Sequence, residues 1–177
     1  MTEPAVSDQL LRHVGGLRRY AFALTGGQQE AEDLVQDTLL RAIAAADRFR
    51  RDGNLRAWLF SIMHNTFVSG VRRRVPPLVE MNDEIAATPG GQAQLIKLEL
   101  RDALSALARL PEPQRAALSL IALEDFSYEE AARVLDIPLG TLMSRLARAR
   151  EAVRQMMRDE PRRPLRLADA QNTGAKR

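Results

Sequence analysis

The stretch SYEEAARVLDIPLGTLMSRLARAR, residues 127–150, decides the fold, because it predicts two short helices joined by a tight turn. Ser127 and Glu130 form an S-x-x-E capping box, in which each side chain satisfies a free backbone donor at the start of a helix. The first helix therefore begins at Tyr128, and it ends before Pro138, because proline disfavours helical geometry in the preceding residue. This build is typical of a helix-turn-helix.

The second helix begins near Gly140 and has two distinct sides. One side repeats apolar residues at spacings of four, three and four, namely Leu142, Leu146, Ala149 and Val153, which predicts a buried stripe. The other side carries Thr141, Ser144, Arg145 and Arg148. Hydroxyls at a helix N-terminus suit phosphate, and guanidinium groups can bind guanine edges in a major groove. The pattern favours DNA reading over a solvated basic face on an ordinary helical hairpin.

Composition favours helices over sheets, since only 5% of the 177 residues are aromatic while Ala, Leu and Arg are abundant. We therefore predict an all-α protein. The net charge of +3 is unevenly spread. A basic run at Arg72, Arg73 and Arg74 precedes residues 75–94, which contain three acids and no Lys or Arg.

Several classes of function are disfavoured by what the sequence lacks. Without cysteine, neither a disulfide framework nor a thiolate metal site can form, and His13 and His64 are the only imidazoles. We therefore expect no metal and no cofactor, and we find no motif of an enzyme active site. Because there is no signal-peptide core and no apolar run of about 20 residues, we expect a cytoplasmic protein without membrane insertion.

Two prolines, a PGG and three acids make residues 75–94 read as a flexible, exposed linker between two small helical domains. The predicted segments are residues 1–74, the linker 75–94, residues 95–157 with the helix-turn-helix, and a disordered basic tail, 158–177. In the first domain we predict helices over residues 10–24, 30–48 and 55–74. The second of these has an apolar face made of Leu34, Val35, Thr38, Leu39, Ala42 and Ile43.

Four motifs in this order closely resemble the extracytoplasmic-function (ECF) group of the sigma-70 family of bacterial RNA polymerase sigma factors. They are EAEDLVQDTLLRA (30–42), NLRAWLFSIMHNTFVSGVRRR (54–74), ALARLPEPQRAAL (106–118) and FSYEEAARVLDIPLGTLMSRLARAR (126–150). The segments FSYEEAA and WLFSIMHNTF resemble the alphaproteobacterial general-stress branch of the group more closely than its other branches. The resemblance implies two domains, sigma region 2 and sigma region 4.

The resemblance implies that the first domain binds the polymerase clamp and the minus-ten promoter element. The matching clamp positions are Asp33, Gln36, Asp37 and Arg41. The loop 50–55 matches the family's loop that captures a flipped base, and the positions matched to the minus-ten DNA are Asn54, Trp58, Asn65, Arg72, Arg73 and Arg74. From its apolar helical setting alone, Trp58 is better explained as a core residue than as a base-stacking one.

The second domain is implied to bind the polymerase flap and the minus-thirty-five element. The matching DNA positions are Pro138, Gly140, Thr141, Ser144, Arg145 and Arg148. Met143 departs from the family pattern, since many relatives carry Lys or Arg there, so promoter specificity cannot be copied from a relative. The implied partners are core RNA polymerase, promoter DNA and an anti-sigma factor, in a stress response.

Two other functions compete with this interpretation. A helix-turn-helix repressor would need a dimerisation element or a ligand pocket, and the first domain has neither signature. A sigma-like protein that only sequesters an anti-sigma factor should lose the DNA-facing arginines and carry a receiver domain. Here Arg145 and Arg148 are retained, and the chain has no room for a receiver.

Overall fold

The computed structural model describes residues 9–49, 53–73 and 106–159, and every regular element in these ranges is helical. The first domain contains a 3-10 turn (Leu11–His13), α1 (Val14–Thr25), α2 (Gln28–Ala44), a 3-10 turn (Ala46–Arg48) and α3 (Leu55–Arg73). The second contains α4 (Glu112–Ala122), α5 (Tyr128–Val134) and α6 (Leu139–Asp159). The all-α prediction is confirmed for the described residues. The predicted tail, 158–177, begins too early, because α6 continues through Arg158 and Asp159. The predicted linker and the rest of the tail lie outside the described residues. None of the described helices is long and apolar enough to cross a membrane.

Local sequence signals set the helix ends. Gly26 ends α1 in the left-handed region, at φ 78°, and its N–H donates to Phe22 O at 2.8 Å. The capping box begins α5 as predicted: Glu130 N donates to Ser127 Oγ at 3.2 Å, and Ser127 N donates to Glu130 Oε2 at 3.1 Å.

The prediction for α2 was wrong at its C-terminal end. The helix ends at Ala44 rather than at residue 48, and the following three residues form the 3-10 turn. Ile43, predicted to lie on the apolar face, is 58% exposed. It lies about 140° around the helix from Thr38, at 100° per residue, and therefore falls outside the buried stripe.

The two domains pack on each other through one continuous apolar core. α1 contacts α4, and α3 contacts α5. Phe60 of α3 is buried between rings of both domains, with its centroid 5.4 Å from that of Tyr20 and 5.0 Å from that of Phe126. Aromatic pairs at such distances add attraction beyond their buried area. The compact arrangement is therefore held by packing as well as by the chain connection.

His64 of α3 is buried at this junction. Its Nδ1 lies 3.4 Å from Tyr20 Oη, and the positive charge of Arg145, from the second domain, is close enough to act on it. Burial first, and then the Arg145 charge, lower the pKa of His64 from 6.5 to about 4. The imidazole is therefore neutral in the folded protein at neutral pH.

We predict that acid destabilises the protein through His64. Because the pKa is lower in the folded than in the unfolded chain, the stabilisation is complete above pH 6.5 and is lost as the pH falls towards 4. Between pH 7.5 and pH 5 the loss should be about 2 kcal/mol, at 1.36 kcal/mol per pKa unit. Urea unfolding followed by circular dichroism at both pH values measures it.

His64→Gln should remove most of that pH dependence, because glutamine can still hydrogen-bond to Tyr20 but does not titrate. His13→Gln is the matched control and should retain most of it. An undiminished pH dependence in His64→Gln would contradict the assignment.

Candidate functional site

The second helix of the helix-turn-helix, α6, buries one side and exposes the other as predicted. Leu142, Leu146 and Ala149 are at most 1% exposed. The opposite side exposes Pro138, Gly140, Ser144 and Arg148, whereas Thr141 and Arg145 are half-buried. Arg150 Nη2 donates to Tyr128 Oη at 3.0 Å, which ties α6 to the start of α5. The outward side of α6 is thus held as a fixed surface.

The two predicted reading arginines differ in their surroundings. Arg148 is exposed and makes no hydrogen bond or ion pair with any residue in the described ranges. Arg145 is half-buried, and its charge acts on His64 of the first domain. In the compact arrangement, only Arg148 is therefore fully available to an external anion.

The predicted polymerase-facing residues lie together on the outward side of α2. Asp33, Gln36, Asp37 and Arg41 are all exposed. Two large apolar side chains accompany them, Leu40 at 66% and Ile43 at 58% exposure. The sequence interpretation missed this apolar component, although a helical projection of α2 places both residues away from the stripe that contains Thr38. The surface combines charge with unburied apolar area, as protein-binding surfaces do.

A cleft of about 280 Å³ lies between the end of α2 and the start of α3, lined by Arg48, Phe49, Gly53, Asn54 and Trp58. Trp58 is half-buried, and its ring centroid is 5.0 Å from that of Phe49. The indole therefore packs on Phe49, as a core residue would, and also lines the cleft, where a base-stacking residue would lie. Arg50 to Asp52 fall outside the described residues, so this is one edge of the predicted base-capturing loop.

The remaining minus-ten candidates have different environments. Asn65 is exposed on α3. Asn54 caps α3, since its Oδ1 accepts from Ala57 N at 3.0 Å, while its Nδ2 donates across the domain boundary to Glu130 Oε1 at 2.9 Å. Arg72 and Arg73 lie on the last turn of α3, but their side chains, and all of Arg74, are outside the described residues.

Glu124 forms the most connected polar group between the domains, and the sequence interpretation missed it. Its side chain is 2% exposed, and its Oε1 accepts from Arg19 Nε at 2.9 Å. Arg56 Nη2 lies 3.6 Å from Glu124 Oε2 and also donates to the Glu124 carbonyl. The Arg56 guanidinium stacks 4.2 Å from the centroid of Phe126. We call this group, formed by Arg19, Arg56, Glu124 and Phe126, the domain clasp.

Two further features bear on the clasp. Arg115 Nη2 donates to Leu24 O at 2.9 Å, a further link between the domains, and burial lowers the pKa of this guanidinium. A Cβ added at Gly16 would lie 2.5 Å from Glu124 Oε2, so the clasp fits closely against α1. Within the described part of the chain, no three His, Asp or Glu side chains are grouped so that they could hold a metal ion.

Both domains match known families. Residues 10–64 match the family described as "Sigma2 domain of PhyR", and residues 100–153 match "Sigma-70, region 4". The chain is 40% identical over 154 residues to the ECF RNA polymerase sigma factor EcfG of Rhodopseudomonas palustris, covering 86% of this chain and 85% of the relative.

Solved structures share the fold. The sigma factor RpoE of Bartonella quintana, in complex with the anti-sigma factor NepR, has a TM-score of 0.71 at 32% identity, covering 88% of this chain and 98% of that one. PhyRSL of Sphingomonas sp. Fr1, in complex with NepR, has a TM-score of 0.68 at 25% identity, covering 98% and 99%. Since the helix-turn-helix, the two domain matches and the extended identity to EcfG agree, the chain belongs to the ECF group of RNA polymerase sigma factors.

Proposed function

We propose that the compact arrangement is an inactive form of this sigma factor, and that the two domains must separate before it can direct transcription. In the open form, the outward side of α2 binds the clamp of core RNA polymerase, and the second domain contacts the flap. The first domain, residues 1–74, then contacts the minus-ten element. The second domain, residues 95–157, reads the minus-thirty-five element through α6, and residues 75–94 serve as the connecting linker.

The exposed residues support this assignment of surfaces. Asp33, Gln36, Asp37 and Arg41 are exposed on α2, beside the unburied Leu40 and Ile43. Arg148 has no partner in the described ranges, and α6 carries five arginines against two acids. An excess of positive charge along one helix is the electrostatic signature of nucleic-acid binding.

The observation that carries the proposal is that each domain interacts with a DNA-binding candidate of the other. Asn54, a minus-ten candidate, is hydrogen-bonded to Glu130 of α5. Arg145, a minus-thirty-five candidate, is half-buried, and its charge acts on His64 of α3. In this arrangement the Asn54 amide is already hydrogen-bonded and the Arg145 side chain is only partly exposed, so neither is fully available to DNA. The domains must therefore separate before both promoter elements are read.

We further propose that an anti-sigma factor stabilises the compact form in a stress response in the cytoplasm. RpoE, a relative of similar fold, was solved in complex with the anti-sigma factor NepR. An inhibitor that binds both domains would only have to add to the existing interface. As a sigma factor, the chain would carry no catalytic activity of its own.

A second candidate function is favoured by one observation, since residues 10–64 match the sigma domain of PhyR and the PhyRSL protein was solved with NepR. A protein of that kind would bind the anti-sigma factor without binding polymerase or DNA. Two observations favour a working sigma factor: Arg148 has no partner in the described ranges, and the identity to EcfG is higher. Binding to core polymerase separates the two functions.

We predict that Glu124→Gln shifts the protein towards the open form. The substitution removes the negative charge that Arg19 and Arg56 share, so the hydrogen bonds that these guanidinium groups make across the boundary lose the strength that an ionised acceptor gives them. Small-angle scattering should give a larger radius of gyration, and the affinity for core polymerase should rise by about tenfold if opening limits binding. Helix content by circular dichroism should not change.

Glu151→Gln is the matched control, because Glu151 is exposed and its partners among the described residues, Arg154 and Gln155, both belong to α6. Gly16→Ala tests the same clasp without changing charge, since the added methyl group would displace the Glu124 carboxylate. If both clasp variants kept the wild-type radius and the wild-type affinity for core polymerase, the clasp would not control opening.

We also predict that Asp37→Arg weakens core-polymerase binding by tenfold or more, because it reverses a charge at the centre of the outward side of α2. The free energy of unfolding should change by less than about 0.5 kcal/mol, since the residue is exposed. Glu129→Arg, an equal charge reversal at an exposed residue of α5, is the control. Pull-down with core enzyme in the absence of DNA measures the effect, and equal binding by Asp37→Arg and wild type would exclude this face.

A further inference from the structure

The first turns of α6 expose apolar side chains on the helix proposed to enter the major groove. Met143 is 53% exposed and Leu139 is 40% exposed, and the two residues lie one turn apart. Such side chains are unusual on a surface whose other exposed residues are polar, positively charged or small. Met143 lies outside the buried stripe that contains Leu142 and Leu146, since about half of its surface is exposed.

The neighbours of Met143 leave its side chain accessible to a binding partner. A Cβ added at Gly140, three residues earlier, would meet no atom within 4 Å, so the helix surface beside Met143 is open. The adjacent Ser144 Oγ donates to Gly140 O at 2.9 Å. Its hydroxyl hydrogen is therefore already used, and this part of α6 offers an outside ligand an apolar group rather than a donor.

We propose that Met143 reads thymine, through contact with the C5-methyl group in the major groove of the minus-thirty-five element. That methyl is the one apolar group that base edges display in the major groove, and apolar side chains are its matching contacts. The exposed neighbours Gly140 and Ser144, both proposed to lie at the DNA, and the excess of arginine on α6 favour duplex DNA over an apolar protein as the occupant. This inference rests on the proposed docking of α6.

The thymine methyl can be tested by itself, because deoxyuridine pairs as thymidine does and lacks only that group. Holoenzyme reconstituted from core polymerase and the full chain first selects its minus-thirty-five element from duplexes randomised in that segment. Each thymidine of the selected element is then replaced by deoxyuridine, and binding is measured at fixed salt, because salt alone changes such affinities strongly. One replacement should weaken wild-type binding by about fourfold, the amount expected for one buried methyl group.

Two variants assign that loss to Met143. Met143→Ala should bind the thymidine and deoxyuridine duplexes equally, whereas Met143→Leu should keep the discrimination. Because Met143 is exposed, neither change should disturb folding, which circular dichroism verifies. Comparing the ratio of the two duplexes in each variant removes the effect of the methyl group on DNA stacking.

Several outcomes would overturn the inference. In the first, no replacement of thymidine by deoxyuridine in the selected element weakens binding of the wild type. In the second, Met143→Ala still binds the thymidine duplex more tightly than the deoxyuridine duplex. In the third, Met143→Ala changes the binding of an inhibitor but not the binding of DNA. Arg148→Ala separates the two levels of the argument, because it should weaken both duplexes alike while the ratio persists. If Arg148→Ala bound as tightly as wild type, the docking of α6 itself would be wrong, and the Met143 assignment would fail with it.

Discussion

The buried carboxylate of Glu124 is the contact on which the compact arrangement depends. A carboxylate that is 2% exposed is destabilising unless its charge is compensated, and both compensating guanidinium groups come from the other domain. Separating the domains would return the Glu124 carboxylate to water, which Arg19 and Arg56 already reach in part, so the lost attraction is partly replaced by hydration. An apolar interface of the same area has no such replacement. A charged clasp therefore suits the opening proposed for this contact, because its net contribution is smaller than its number of bonds suggests.

The shared core opposes this ease of opening. Phe60, Tyr20 and Phe126 lie in one aromatic cluster across the boundary, and separation would expose part of it to water. Each domain is small, and domains of about 70 residues bury only about 60% of their chain surface. Core polymerase and promoter DNA must therefore offset the exposed aromatic area. An inhibitor that binds both domains has the easier task, since the contact between them already exists.

The sequence predicts the parts of this fold that are encoded locally, and it misses those that depend on the approach of distant segments. The capping box of Ser127 and Glu130 and the buried stripe of α6 follow from spacing within one or two turns, and both are present. Ile43 is exposed although its residue type is apolar, because its angle on the helix places it outside the buried face. Glu124 gave no signal at all, since its partners Arg19 and Arg56 lie 105 and 68 residues away. A lone acid after a helix reads as a loop residue until the first domain is placed against it.

Glu130 explains how one residue can serve both arrangements. Its Oε2 accepts from the backbone of Ser127 and holds the start of α5, while its Oε1 accepts from Asn54 of the first domain. The Ser127 hydrogen bond is also the main cause that lowers the pKa of Glu130, so the carboxylate stays charged for both partners. Opening breaks only the Asn54 contact, and the capping box remains. The helix-turn-helix thus keeps its N-terminal structure when the domains separate, and Asn54 keeps its cap on α3 through Oδ1. Because each side of this contact retains its local structure, separation frees the Asn54 amide without disturbing the helix that presents it.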